Sequence, residues 1–211
     1  NPDAAGRPLQ NAAAVLSGGR VESVHVKTLL PTYDVFDETR YFEPGSRPGC
    51  IEVGGRRIGL SICEDLWDAG ALGRELYGQD PIAMLAEDGA ELIINMSASP
   101  YELGKAKTRE ELFTRQAARC GLPILYVNQV GGNDELVFDG TSCAISPAGE
   151  IIARAKGFVE DMLLVDPGGG AQRIEELDGE MPRLSAALKL GLRDYVTKCG
   201  FSSVVIGSSG G

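Results

Sequence analysis

The 211-residue chain is short of aromatics, at 6%, and contains a single tryptophan and a single histidine. It also lacks any block of lysine and arginine. Acidic residues outnumber basic ones 30 to 20, for a formal charge of −10 at pH 7, so there is no basic face to track a phosphate backbone and no nucleic-acid partner is expected. No stretch approaches the roughly 18 apolar residues of a membrane span, and Asn1-Pro2-Asp3-Ala4-Ala5 has neither a basic n-region nor an apolar h-region. No membrane partner is expected either. The five cysteines, Cys50, Cys63, Cys120, Cys143 and Cys199, never form a CxxC pair. That argues against a disulfide framework and a zinc knuckle, predicts no metal site, and makes reduced thiols in a cytoplasm the default.

What is present is 43% apolar residues and 28 glycines, a mix that suits an α/β protein with many tight turns and excludes disorder for most of the length. The length fits one domain, or one and a half. Residue 1 is not methionine and the sequence stops at Gly207-Ser208-Ser209-Gly210-Gly211, so a fragment is expected.

Along the chain, apolar runs on either side of Gly18-Gly19 predict a hairpin over 11–26, and Ile51–Val53 with Ile58–Cys63 predict a second around Gly54-Gly55-Arg56-Arg57. Asp80-Pro81 reads as an N-cap and N1 pair opening a helix that stops near Gly89. Leu92–Met96 and Pro123–Asn128 are buried-type strands. Between them, Thr108 and Glu111 have capping-box spacing for a helix that ends at Gly121. A meander is expected from Phe138 to Val165, with strands at 142–146, 151–153 and 162–165. Residues 1–166 therefore make one α/β domain, and 167–183, rich in Pro, Gly, Glu and Asp, a linker. Beyond it, Leu184, Leu188, Leu192, Tyr195 and Val196 recur at helical spacing, Gly200 is a C′ candidate, and Val204–Ile206 is a short strand. A helix and a strand cannot bury themselves alone, so 184–211 is expected to open a second domain.

Cys63 stands where an apolar strand ends and Glu64-Asp65-Leu66-Trp67 begins a helical turn. A thiol there can become a nucleophile beside unpaired N–H groups, or it can be a small buried hydrophobe. Lys27, at the end of the first hairpin, is either a solvated edge charge or an aimed cation. The combination is more specific: Lys27-Thr-Leu-Leu-Pro-Thr-Tyr33, then Phe36-Asp-Glu38-Thr-Arg-Tyr-Phe, then Cys63-Glu-Asp-Leu-Trp67, then Ser97-Ala-Ser99-Pro-Tyr101. Together these motifs resemble the nitrilase, or carbon–nitrogen hydrolase, superfamily with its Glu-Lys-Cys triad. Within it they look like the glutaminase domain of the glutamine-dependent NAD⁺ synthetase family, and Val204–Gly211 resembles that family's entry into its ATP-binding domain.

The resemblance implies a nitrilase-like αββα sandwich followed by the first helix and strand of an α/β ATP-pyrophosphatase domain. It implies Cys63 as nucleophile and Lys27 as oxyanion partner. Glu38 either orients Lys27 or is a surface carboxylate paired with Arg40. Tyr33, Glu64, Ser99 and Lys105 would contact glutamine, although Lys105 is also readable as a surface charge. Gly207, Ser208, Ser209, Gly210 and Gly211 would belong to an ATP loop, against the plainer alternative of a solvated glycine-serine tail. The partners implied are glutamine and, in a full-length enzyme, nicotinic acid adenine dinucleotide with ATP and Mg²⁺; the glutaminase domain needs no cofactor of its own. A homo-oligomer is implied as well. The superfamily's first catalytic glutamate would precede Asn1, and Glu22, on the same hairpin as Lys27, is not assigned that part. The chain alone is therefore expected to be inactive. The alternatives are a stand-alone amidase of the same superfamily and a non-catalytic oligomerisation module.

Overall fold

A computed structural model describes residue 7 and residues 9–67 and 78–208. Both hairpins form, as β1 (Ala12–Ser17) with β2 (Arg20–Val26) and β3 (Gly49–Val53) with β4 (Arg56–Ile62). The second turn is tighter than expected. Arg56 and Arg57 already pair with Val53 and Glu52, so Gly54 and Gly55, both at positive φ, make the whole turn. After β4 come α1 (Pro81–Glu87), β5 (Leu92–Ser97), α2 (Lys105–Cys120) and β6 (Ile124–Asn128). A hairpin of β7 (Val130–Asn133) and β8 (Leu136–Asp139) follows, then β9 (Cys143–Ile145), β10 (Ile151–Arg154) and α3 (Glu180–Lys198).

The central sheet runs β10-β9-β6-β5-β4-β3, with β4, β5 and β6 parallel. Side chains alternate across it. Ile93, Ile124 and Tyr126 face α1 and α2, where they pack with Ile82, Leu85, Leu112 and Phe113. Ala144, Ile152 and Leu125 face the other way and are covered by Leu163 and Val165. On that second face the β1–β2 hairpin approaches β3 so closely that a Cβ on Gly49 would stand 2.5 Å from His25 Nδ1. Gly59, on the helix side, is similarly confined by Leu85 and Ala90. The layering is thus helices, sheet, hairpin. Register pairs Ile62 with Met96 and Ser97 with Asn128, so the three parallel strands deliver their carboxyl ends, and the residues just after them, to one edge.

Asp80 caps α1 as expected, its carboxylate accepting from Ala83 N, and Gly121 closes α2 in the left-handed conformation. The capping box at Thr108 and Glu111 does not form. Gly104, at φ +77°, lets the chain turn into α2 one turn earlier, so both residues lie inside the helix; the Thr108 hydroxyl donates back to the Gly104 carbonyl. Residues 162–165 cover the sheet face without forming a strand. Val204–Ile206 is not a strand either: among the described residues no strand pairs with it, and Val205 is 98% exposed. The segment 167–179 runs beside β10, bonded through Gln172 N to Ile152 O and Arg154 N to Arg173 O. α3 begins at Glu180, four residues before the first apolar residue of its periodic pattern. Pro182 is accommodated in the first turn, where its missing N–H costs nothing. Ala187 and Leu190 bury against Phe158, Val130 and Val137, and Gly200 follows at φ +73°.

Candidate active site

The parallel strand β4 ends at Ile62, and Cys63 opens a short 3-10 turn, Cys63–Leu66, with φ +44°. That left-handed backbone is unfavourable for a residue with a Cβ and needs support from its surroundings. Asp65 gives it: one carboxylate oxygen accepts from Thr28 N at 3.0 Å and Leu29 N at 2.8 Å, the other from Ile62 N at 3.0 Å. A single buried side chain thereby ties the peptide after Lys27 to the Ser61–Ile62 peptide at the end of β4. Asn95 adds a second anchor, donating to the Cys63 carbonyl at 3.3 Å and to Ser61 Oγ at 2.9 Å. Burial outweighs the three N–H donors at Asp65 and pushes its carboxyl up to about 6.

Lys27 is not a solvated edge charge, because its side chain is 0% exposed. Its Nζ donates to Glu38 Oε1 at 2.6 Å, and its backbone is fixed by Asn11 O and Gly45 N. Of the two alternatives for Glu38, the geometry is the Lys27 pair; Arg40 meets Asp37 instead, at 4.0 Å on the exposed surface. The other Glu38 oxygen is buried without a hydrogen-bond partner. Burial raises the Cys63 thiol above its usual value, Lys27 pulls it down, and Glu64 and Glu38 push it up. The resting group is a thiol under the influence of a nearby cation, so its proton must be taken as it attacks.

Cys63 opens into a cavity of about 370 Å³ whose wall also includes Tyr33, Glu64, Ser99 and Lys105. All four side chains that the motifs singled out for substrate contact share it. Tyr33 donates to the Glu64 carboxylate at 2.8 Å. Ser99 is held through its backbone: its N–H donates to Asn128 Oδ1 at 2.9 Å and its carbonyl accepts from Asn128 Nδ2 and Arg109 Nη1. Lys105 pairs with Glu102 at 3.4 Å. Trp67 forms part of the wall, edge-on to Phe113. Gly207 and Ser208 lie apart in exposed irregular chain, with no atom near the Gly207 Cα face. Ser209, Gly210 and Gly211 fall outside the described residues. Among the described residues no group of three or more His, Cys, Asp or Glu side chains could hold a metal ion, and no helix is long and apolar enough to cross a membrane.

Sequence reasoning missed Asp65, Asn95 and Asn128. For Asn95 the available signal was a polar residue inside a run of apolar strand residues, Leu92-Ile-Ile-Asn95-Met, where burial demands a partner.

The fold and cavity define an α/β protein with a cysteine-centred site at the carboxyl ends of the parallel strands of a mixed sheet, backed by a buried lysine–glutamate pair. The chain belongs to the carbon-nitrogen hydrolase family, whose profile matches residues 2–167. Among curated relatives, a glutamine-dependent NAD(+) synthetase of Synechocystis sp. is 42% identical over 97% of this chain and 38% of its own length. Among solved structures, the glutamine-dependent NAD⁺ synthetase of Acinetobacter baumannii in complex with ADP superposes with a TM-score of 0.82 at 34% identity, over 92% of this chain and 36% of that one. An amidase variant of Nesterenkonia sp. AN1, with an acetamide moiety covalently added at its active-site cysteine, gives a TM-score of 0.53 at 25% identity, over 66% of this chain and 48% of its own. The chain spans well under half the length of the synthetases it resembles.

Proposed function

We propose that this chain is the glutamine-hydrolysing part of a glutamine-dependent NAD⁺ synthetase. The observation that carries this reading is the shared cavity. Cys63 faces the same space as Lys105, a cation suited to an amino-acid carboxylate, and as the Tyr33–Glu64 pair, which offers acceptors to an ammonium group. A simple aliphatic amide would use neither.

In this reading Cys63 Sγ attacks the carbonyl carbon of the glutamine side-chain amide. The oxyanion that forms meets Lys27, whose side chain is fully buried, and a backbone N–H of the turn; such contacts are strongest where water is excluded. The thiol proton passes to the amide nitrogen as the C–N bond breaks, giving ammonia and a thioester. Water then attacks the thioester, releasing glutamate and returning a proton to the thiol. Glu38 is committed to Lys27 through Oε1 and holds it in position. The proton carrier is the glutamate that the family resemblance places upstream of Asn1. The ammonia is consumed in an ATP-dependent amidation of nicotinic acid adenine dinucleotide. Gly207 and Ser208 are exposed and Ser209, Gly210 and Gly211 lie outside the described residues, so no step of that reaction is assigned to residues of this chain.

The test compares ammonia release and NAD⁺ formation by the full-length gene product with glutamine and with butyramide. Glutamine should be used and butyramide not, and Lys105→Met should raise the glutamine KM by about 100-fold with a much smaller effect on kcat. Equal use of both amides would overturn the assignment.

A further inference from the structure

The first turn of α3 reaches back to the wall of the cavity by two routes. Arg183 is 8% exposed, and its Nη2 donates to Asp139 Oδ2 at 2.6 Å. The same oxygen accepts from Arg109 Nη2 at 2.5 Å and from the Thr141 hydroxyl at 2.9 Å, while Asp139 Oδ1 accepts from Asn128 Nδ2 at 3.4 Å. Arg109 and Asn128 are the two side chains that grip the backbone of Ser99. The second route is Glu180, whose carboxylate oxygen lies 3.7 Å from where a Cβ on Gly104 would stand, at the start of α2 and next to Lys105. Ser99 and Lys105 both line the cavity.

We propose that Arg183 is a positioning residue for substrate binding: through Asp139 it fixes Arg109 and Asn128, and through them the Ser99 end of the cavity. The physical reason is charge balance. Two guanidinium groups share one carboxylate in a dry environment, so each arginine fixes the direction in which the carboxylate faces the other. Without Arg183, Asp139 has a single cationic partner and is free to rotate toward it, which draws Arg109 away from the Ser99 carbonyl. Tyr101 and Phe158 flank the Arg183 guanidinium at 5.9 and 5.1 Å from their ring centroids and hold it in place. A position on α3 therefore affects binding at a site that α3 does not touch.

This rests on the glutaminase reading, and the experiment separates the two. In the full-length gene product, Arg183→Met should raise the glutamine KM by about tenfold with kcat changed less than about twofold, and Arg183→Lys, which keeps the charge, should recover much of the loss. A purely structural arginine would lower thermal stability without this split. Arg183→Gln, which drops the charge but can still donate a hydrogen bond to Asp139, keeps the test available if Arg183→Met does not fold; it should raise the KM about threefold. Unchanged glutamine KM in either neutral variant, or kcat falling in step with it, overturns the proposal. A wild-type protein that makes no glutamate from glutamine overturns the glutaminase reading itself, and this inference with it.

Discussion

Asp65→Ala offers a prediction whose size and pH dependence both follow from the geometry. The substitution removes the acceptor for three backbone N–H groups, at 2.8 to 3.0 Å, in a buried site. Orphaned donors cost about 1–3 kcal/mol each, so the gross loss is about 5 kcal/mol. Set against this is the cost of an ionised carboxylate in the interior. With its folded value raised from 3.8 to about 6, Asp65 binds its proton more tightly in the folded chain than in the unfolded one. The sign follows: its contribution is most favourable below the unfolded value and is lost as the pH rises through about 6, reaching about 3 kcal/mol of lost stability at neutral pH. The alanine variant escapes that loss. It should therefore be less stable than wild type by about 2 kcal/mol at pH 7.5 and by about 3.5 kcal/mol at pH 5.0. Urea unfolding at the two pH values measures the difference. A gap that is wider at pH 7.5 would mean that the three donors, and not burial, govern the carboxylate, and the reasoning would fail.

Other outcomes follow from the same site. Lys27→Met should lower glutamine-dependent kcat by about 100-fold or more with little change in KM, since the cation acts on charge that develops only during the reaction. It should also cost about 3 kcal/mol in unfolding free energy, because it strands the Glu38 carboxylate. Alkylation of Cys63 as a function of pH should show an inflection above that of an exposed thiol, because burial is the dominant influence, and Lys27→Met should move it higher still. An inflection that falls when Lys27 is removed would contradict the stated balance of charges.

Much of this architecture was legible because local signals agreed with the tertiary outcome. Gly18-Gly19 and Gly54-Gly55 set the two hairpin turns, Asp80-Pro81 opened α1, and mostly apolar runs marked β5 and β6 as buried-type strands. The failures have a common origin in contacts that no local pattern encodes. Thr108 and Glu111 have the spacing of a capping box, yet the chain turns at Gly104, where Glu180 of α3 approaches. Met162–Val165 and Val204–Ile206 have strand composition, but strand formation requires an unpaired edge beside them. In the site, motif residues with reactive or charged side chains stood out, and Cys63, Tyr33, Glu64, Ser99 and Lys105 share one cavity. The residues that hold them were silent. Asp65, Asn95 and Asn128 act through backbone groups distant in sequence, and Arg183 is joined to Asp139 across 44 residues.

The nucleophile is the centre of the account, and one substitution tests it directly. NAD⁺ formation by the full-length gene product carrying Cys63→Ala is measured with glutamine and, separately, with ammonium as nitrogen donor. Loss of the glutamine-dependent rate with the ammonium-dependent rate retained is the predicted result. A variant that still uses glutamine at the wild-type rate would show that Cys63 is not the attacking group, and the cavity would lose its assigned chemistry.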